Sequence, residues 1–201
     1  MPAQTKLFHI GSLALIGGED SDAWEACFAA CQKRGIMTSL DPNVRPGLIT
    51  DPDGYRARIG RMMRHADIFK LSDEDLLWLY PDRSLEAAVA DCRADCHAAL
   101  FILTMGGEGS RLCLDDTRNG FEMNAEAPAI DDLVDTVGAG DTYMASILCW
   151  ALESWLTSRA GLAGVDKAML AKAASRASEA AAINCRRSGC NPPWRDELQN
   201  I

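Results

Sequence analysis

Apolar positions follow two alternating rhythms along this chain. Short runs stopped by glycine or an acidic residue, Leu7-Phe8-His9-Ile10-Gly11-Ser12, Ile36 to Leu40, Asp67 to Leu71 and Ala99 to Thr104, have the length and composition of buried strands. Longer stretches between them carry apolar residues at helical spacing. In Ser21 to Arg34 these are Trp24, Cys27, Phe28 and Cys31, with Ser21 or Asp22 as the expected cap and Gly35 as the stop. In Asp51 to His65 they are Tyr55, Ile59, Met62 and Met63, with Arg56, Arg58, Arg61 and Arg64 mostly on the opposite side, and Ser84 to His97 forms a third helix. Strand, helix and strand in alternation predict right-handed crossovers between neighbouring parallel strands, hence an α/β fold.

The rhythm changes after Thr104. A Gly-rich turn over 104–109 leads to a returning strand, Ser110 to Asp115, and to short strand-like pieces that run to Ile130. Met144, Ile147, Leu148, Ala151, Leu152, Trp155 and Leu156 then recur three and four apart, which predicts a buried helix over Thr142 to Leu156. An Ala-rich helix follows from Asp166 to Cys185 and is broken by the segment Arg186 to Pro193. No repeat, low-complexity tract or linker divides residues 1–201, so a single α/β domain is expected.

Composition adds exclusions. Hydrophobic residues at 48% and charged residues at 24% are ordinary for a globular protein. A net charge of -9 repels phosphate backbones and anionic lipid, so neither nucleic acid nor membrane is expected as a partner. Any phosphate ligand must therefore be held locally, by amides and a few cations. The eight cysteines read as intracellular thiols: no C-x-x-C pair occurs, and Cys92 and Cys96 beside His97 suit buried core thiols better than a metal site. The histidines, His9, His65 and His97, are scattered. Leu7 to Ile16 after Lys6 is interrupted by polar residues and lacks a small-x-small cleavage site, and no apolar run reaches about 18 residues, so a cytoplasmic location is expected.

Four stretches carry chemistry. Asp135-Thr136-Val137-Gly138-Ala139-Gly140-Asp141 is a small-residue turn opening a helix, which points amides at an anion and sets a carboxylate beside it. The same residues equally suit a simple turn with Asp141 as cap. Asp41-Pro42-Asn43-Val44-Arg45-Pro46 leaves a strand at its carboxyl end, where open α/β sheets place ligand loops. Ser72-Asp73-Glu74-Asp75 opens a helix, where acids serve the dipole and cap or order a hydrated Mg²⁺. Thr104-Met105-Gly106-Gly107-Glu108-Gly109 has neither the dinucleotide-binding nor the Walker A spacing, and a plain hairpin also accounts for it.

In this order the motifs resemble those of the ribokinase-like, or PfkB-type, carbohydrate kinases. The match rests on D-T-x-G-A-G-D at Asp135 to Asp141, T-x-G-x-x-G at Thr104, Gly106 and Gly109, D-P-N-x-R at Asp41 to Arg45, and N-x-x-R-x-G-x-N-P-P at Asn184 to Pro193. The resemblance implies a three-layer sandwich with a mostly parallel sheet between helices. It also implies MgATP-dependent phosphorylation of a sugar hydroxyl, closest to the fructokinase branch. Asp141 would be the general base, with Gly138, Ala139, Gly140 and Asp141 forming the anion hole. Asp41, Asn43 and Arg45 would meet sugar and phosphate. Lys70, Ser72, Thr104, Gly106, Gly109 and Asn184 would serve the nucleotide, Asp75 would hold Mg²⁺ through water, and Asp135 and Val137 would offer carbonyls to K⁺.

Two departures qualify the resemblance. The acidic motif of the family, N-x-x-E, stands here as Ser72 to Asp75 with a shorter final carboxylate. The chain also begins roughly where the family's first third ends, a third that carries the lid over the sugar and a Gly-Gly sugar-binding loop. An apolar sheet edge is therefore expected, open to a second copy of the chain or to the missing N-terminal segment. Three alternatives stay open: an active fructokinase-like kinase domain, a catalytically silent nucleotide-binding or oligomerising fragment, and a nucleoside or vitamin kinase of the same superfamily, against which the D-P-N-V-R loop argues.

Overall fold

Alternation of side chains across each strand decides which helices each face of the sheet meets. In this computed structural model, residues 1–115 and 120–198 are described. Six strands lie in sequence order: β1 (Leu7–Gly11), β2 (Met37–Asp41), β3 (Ile68–Ser72), β4 (Leu100–Thr104), β5 (Ser110–Leu114) and β6 (Phe121–Ala125). The first four are parallel neighbours, and β5 and β6 return antiparallel. The expected strand pieces between Asp115 and Phe121 fall partly on 116–119, outside the described residues.

One sheet face, carrying Ile10, Leu40, Phe69, Leu71, Phe101 and Leu103, packs under the first four helices, α1 (Glu19–Lys33), α2 (Pro52–Met62), α3 (Asp73–Leu79) and α4 (Leu85–Asp95). The opposite face, with Met37, Ile68, Leu100, Ile102 and Leu112, is covered by α5 (Ala139–Glu153) and α7 (Lys167–Cys185), with the one-turn α6 (Arg159–Leu162) between them. This is the α/β three-layer sandwich that the sequence predicts. Each fully buried Leu, Ile or Phe contributes roughly 1.5–3 kcal/mol, so the two apolar layers hold the sheet between its helices. The small side chains Ala173, Ala174 and Ala177 let α7 lie close to α5.

Several boundaries move. Helix α1 starts at Glu19 on an N-cap at Gly18, and Ser21 Oγ instead donates back to the Gly18 carbonyl at 2.7 Å. Gly17 and Gly18, at φ 96° and 81°, turn the chain into the helix before the polar residues expected to cap it. Helix α5 starts at Ala139 rather than Thr142 and ends at Glu153, leaving Trp155 past its end and 85% exposed, and Leu152 within it is 43% exposed instead of buried. The chain leaves the helix there, with Trp155 at φ 58°. Cys92 and Cys96 are buried free thiols, pushed by desolvation up to about 12 and about 11, and no group of three or more metal-ligating side chains forms among the described residues. No described helix is long and apolar enough to cross a membrane.

Strand β1 is the outer strand, pairing with β2 alone among the described residues. Near this edge Trp24 stacks on Phe8 with ring centroids 6.1 Å apart and stays 42% exposed, and Leu13 is 64% exposed.

Candidate active site

The parallel strands end together, with Gly11 opposite Asp41 and Ser72 opposite Thr104, and the N-terminus of α5 lies at this end. Gly138 is the N-cap of α5 at φ 79°, ψ 2°. A Cβ there would stand 2.4 Å from Cys190 Sγ, so both conformation and space demand glycine. Asp141 is therefore not the cap but the third helical residue. The Ala139 amide donates to the Thr136 carbonyl at 3.2 Å, whereas the Gly140 and Asp141 amides meet no protein acceptor among the described residues. Of the four residues expected to form the anion hole, Ala139 thus has its amide engaged within the turn.

The turn is held from behind. Asp135 accepts from the Val137 and Gly189 amides, both at 2.9 Å, and these bonds hold its carboxyl below the usual range. Asn184, fully buried on α7, donates from Nδ2 to the Val137 carbonyl and accepts at Oδ1 from the Asn191 amide, each at 2.8 Å. Expected at the nucleotide, its side chain is instead consumed in clipping the turn to the terminal loop.

Opposite the turn, the Asp41 to Pro46 loop delivers its polar residues. Asn43 takes a left-handed backbone, φ 40°, and its Nδ2 donates to Asp141 Oδ1 at 3.1 Å. Arg45 Nη1 donates to Asn43 Oδ1 at 2.5 Å, so guanidinium, amide and carboxylate form one chain. The loop rests on Asp75, whose Oδ1 accepts from the Val44 amide at 2.8 Å. Asp75 Oδ2 accepts from the Ser72 amide while Ser72 Oγ accepts from the Asp75 amide, a capping box on α3. Both oxygens already accept backbone amides and the residue is 8% exposed, so an Mg²⁺ held through water, as expected of Asp75, would share acceptors with the loop and the cap.

A cavity of about 390 Å³ opens between these parts, with Asp41, Asn43 and Asp141 in its wall. It wraps around the edge strand, since Phe8 and Ile10 of one face and His9 of the other both line it. His9, Ser12 and Trp24 were not singled out from sequence, because a lone histidine in a strand and an aromatic on a helix look like core residues. The signal was Gly11, where a Cβ would lie 1.8 Å from the Asp41 carbonyl. His9 Nδ1 shares a hydrogen bond with Ser39 Oγ at 3.1 Å, and desolvation lowers its pKa against the opposing pull of Asp141.

Lys70 donates to Asp41 Oδ2 at 2.8 Å, and both side chains are 4% exposed. Burial raises the Asp41 pKa although Lys70 opposes it. The Gly-rich turn is the loop of the β4–β5 hairpin, as the plainer expectation had it. Gly106 and Gly109 take φ 53° and 92°, and a Cβ on Gly109 would meet the Ala125 carbonyl at 2.1 Å. Thr104 Oγ1 donates to the Leu71 carbonyl at 3.4 Å, and Ser110 shares a 2.9 Å hydrogen bond with Tyr143 of α5. Thr104, Gly106 and Gly109 lie at the same end of the sheet as the cavity but not in its wall.

The pfkB family carbohydrate kinase profile matches residues 2–197. The chain belongs to the pfkB family. Similar sequences include a fructokinase of Rhizobium leguminosarum bv. trifolii, 33% identical over 81% of this chain and 48% of that protein. A probable fructokinase-4 of Arabidopsis thaliana is 28% identical over 98% of this chain and 57% of that protein. The chain thus spans about half the length of the curated relatives it matches. Among solved structures, aminoimidazole riboside kinase from Salmonella enterica, complexed with aminoimidazole riboside and an ATP analogue, superposes with a TM-score of 0.78 at 25% identity, over 96% of this chain and 61% of that one. Fructokinase from Vibrio cholerae O395, bound to fructose, ADP and calcium, gives 0.80 at 22% identity over 96% and 59%, a likeness of fold.

Proposed function

We propose that this pfkB-family chain carries the phosphoryl-transfer half of an ATP-dependent sugar kinase of the fructokinase type. The observation that supports this best is the placement of Asp141. It stands in the first turn of α5 beside amides that meet no acceptor among the described residues, its carboxylate held by Asn43 in the wall of an open cavity. Asp141 takes the proton of the acceptor hydroxyl while that oxygen attacks the γ-phosphorus of ATP. The bond to the β,γ-bridging oxygen breaks and ADP leaves. The Gly140 and Asp141 amides hold the charge of the transferring group, and Arg45 at the end of the Asn43 chain adds a cation nearby. Such transfer needs fixed donors more than covalent help, and donors at a helix start require no reorganisation. Mg²⁺ accompanying the nucleotide, which would offset the charge of its phosphates, and K⁺ at the Asp135 and Val137 carbonyls belong to the same proposal.

The test is ADP release with ketoses, aldoses and nucleosides, comparing the chain with Asp141→Asn. Loss of a positioned general base lowers the rate by about 10²- to 10⁴-fold. Turnover no higher than that of the variant, with ATP still raising the melting temperature, would replace this reading by a nucleotide-binding fragment. The open β1 edge supports that second reading, because its unpaired backbone and the exposed Trp24 and Leu13 suit a further strand from another chain. A monomer at all concentrations in sedimentation would count against such pairing.

A further inference from the structure

His9 sits where the apolar pattern of its sheet face breaks. On the face covered by α5 the facing pair Leu7 and Met37 is apolar, whereas the next pair toward the cavity is His9 and Ser39. Ser39 is fully buried in the middle of β2, and the 3.1 Å bond with His9 Nδ1 is the one side-chain hydrogen bond its hydroxyl makes among the described residues. A buried hydroxyl is costly without a partner, and two apolar residues would have closed this layer with neither. What the pair achieves is a fixed ring. Nδ1 is engaged, Nε2 has no hydrogen-bond partner among the described residues, and His9 is exposed in the cavity wall. Desolvation lowers the His9 pKa, so near neutral pH the imidazole is uncharged and either tautomer leaves Nε2 as one defined donor or acceptor. Asp141 lies close enough for its charge to oppose that shift, yet no hydrogen bond joins the two side chains, and Asp141 Oδ1 is held by Asn43. The space between them suits a molecule that offers an oxygen to each. A hydroxyl both donates and accepts, so it satisfies Nε2 in either tautomer.

We propose that His9 is a specificity-determining residue of the acceptor site: its Nε2 hydrogen-bonds a second hydroxyl of the molecule whose first hydroxyl meets Asp141, which selects polyhydroxylated acceptors over simple alcohols. This rests on the cavity being the acceptor site of the transfer proposed above. Ser39 holds the ring in place, and neither residue takes part in moving the phosphoryl group. The bond joins neutral groups, so its loss weakens the hold on the acceptor while the base and the anion site stay as they are.

The experiment is nitrogen NMR of the imidazoles in the isotope-labelled full chain, titrated with D-fructose, D-glucose and D-ribose and then with single-deoxy analogues of whichever binds best. His65 and His97 precede β3 and β4, at the strand ends away from the cavity, and serve as internal controls. The sugar should move the His9 Nε2 resonance and leave those of His65, His97 and His9 Nδ1 in place. One deoxy analogue should bind about 5- to 10-fold more weakly than the intact sugar and fail to move Nε2. In His9→Leu that difference should vanish, and His9→Gln, which returns a polar group near the Nε2 position, should restore part of it. A merely structural His9 would give the same loss for every sugar. If no sugar of the set moves Nε2, or if His9→Leu keeps the discrimination, the proposal falls. If Nε2 responds while no sugar gives ADP release, acceptor recognition stands and the phosphoryl-transfer reading fails. If ADP is released while Nε2 stays unmoved, the transfer reading stands and this proposal fails. Should circular dichroism show that His9→Leu does not fold, the spectra of the unmodified chain with the intact and deoxy sugars decide.

Discussion

Asn43 and Asp141 are 98 residues apart in sequence and joined by a 3.1 Å hydrogen bond. The bond connects the loop after β2 to the first turn of α5, and so the acceptor side of the cavity to its anion side. Asn43 reaches across only because its backbone is left-handed, a conformation asparagine tolerates better than most residues. Its other amide atom is held by Arg45.

Replacing Asn43 by Ala should therefore free the Asp141 carboxylate without removing it. The proposed transfer rate should drop by about ten-fold, well short of the loss in Asp141→Asn, with nucleotide affinity within about two-fold. Steady-state kinetics with ATP and the best acceptor would check this. A rate as low as that of Asp141→Asn would mean that Asn43 does more than orient.

Asn184→Leu should cost about 1–3 kcal/mol of stability, because it removes the two hydrogen bonds to the Val137 carbonyl and the Asn191 amide, both on residues open to water. Chemical denaturation would measure it. Local proteolysis at 186–193 should rise in parallel, since the terminal loop loses its clip. A variant as stable as the parent would show that water replaces the amide fully.

Gly138→Ala meets two obstacles, a positive φ worth about 1–2 kcal/mol and the Cys190 side chain. Cys190→Gly should relieve the second and leave the first. A double-mutant cycle on melting temperature would then show a favourable coupling between the substitutions. Additive losses would indicate that the strain is all in the backbone.

The pH dependence of stability carries the sign of His9. Its folded-state pKa lies below the ordinary value of 6.5, chiefly through desolvation, so the unfolded chain binds the proton first as pH falls. The stability held by neutral His9 is complete above about 6.5 and is lost as pH drops toward its lowered folded value. His9→Gln should flatten the melting temperature between pH 7 and 5 relative to the parent. Parallel curves for the two proteins would contradict the shift.

Much of the fold was legible in local pattern. Strand runs of five or so apolar residues and helices with a 3.6-residue stripe follow from short-range physics, and with the neighbouring parallel strands implied by their crossovers they appear nearly as expected. Boundaries were less legible where glycine overrides a polar cap. Gly18 starts α1 early, and Gly138 starts α5 early, which moved Asp141 from the cap into the helix. The motifs marked Asp41, Asn43 and Asp141, and these three do share a cavity wall.

What the sequence by itself determined is the set of turns that place amides and carboxylates at strand ends, because those depend on residues within a few positions of each other. Tertiary structure decided the partnerships. Asn184 holds the turn rather than facing the cavity, Asp75 closes a capping box and supports Val44, and Lys70 pairs with Asp41 beneath Gly140. Each polar group was visible in the sequence. Which of them burial would force to find a protein partner depends on the packing of distant strands and helices, and only the folded chain brings those together.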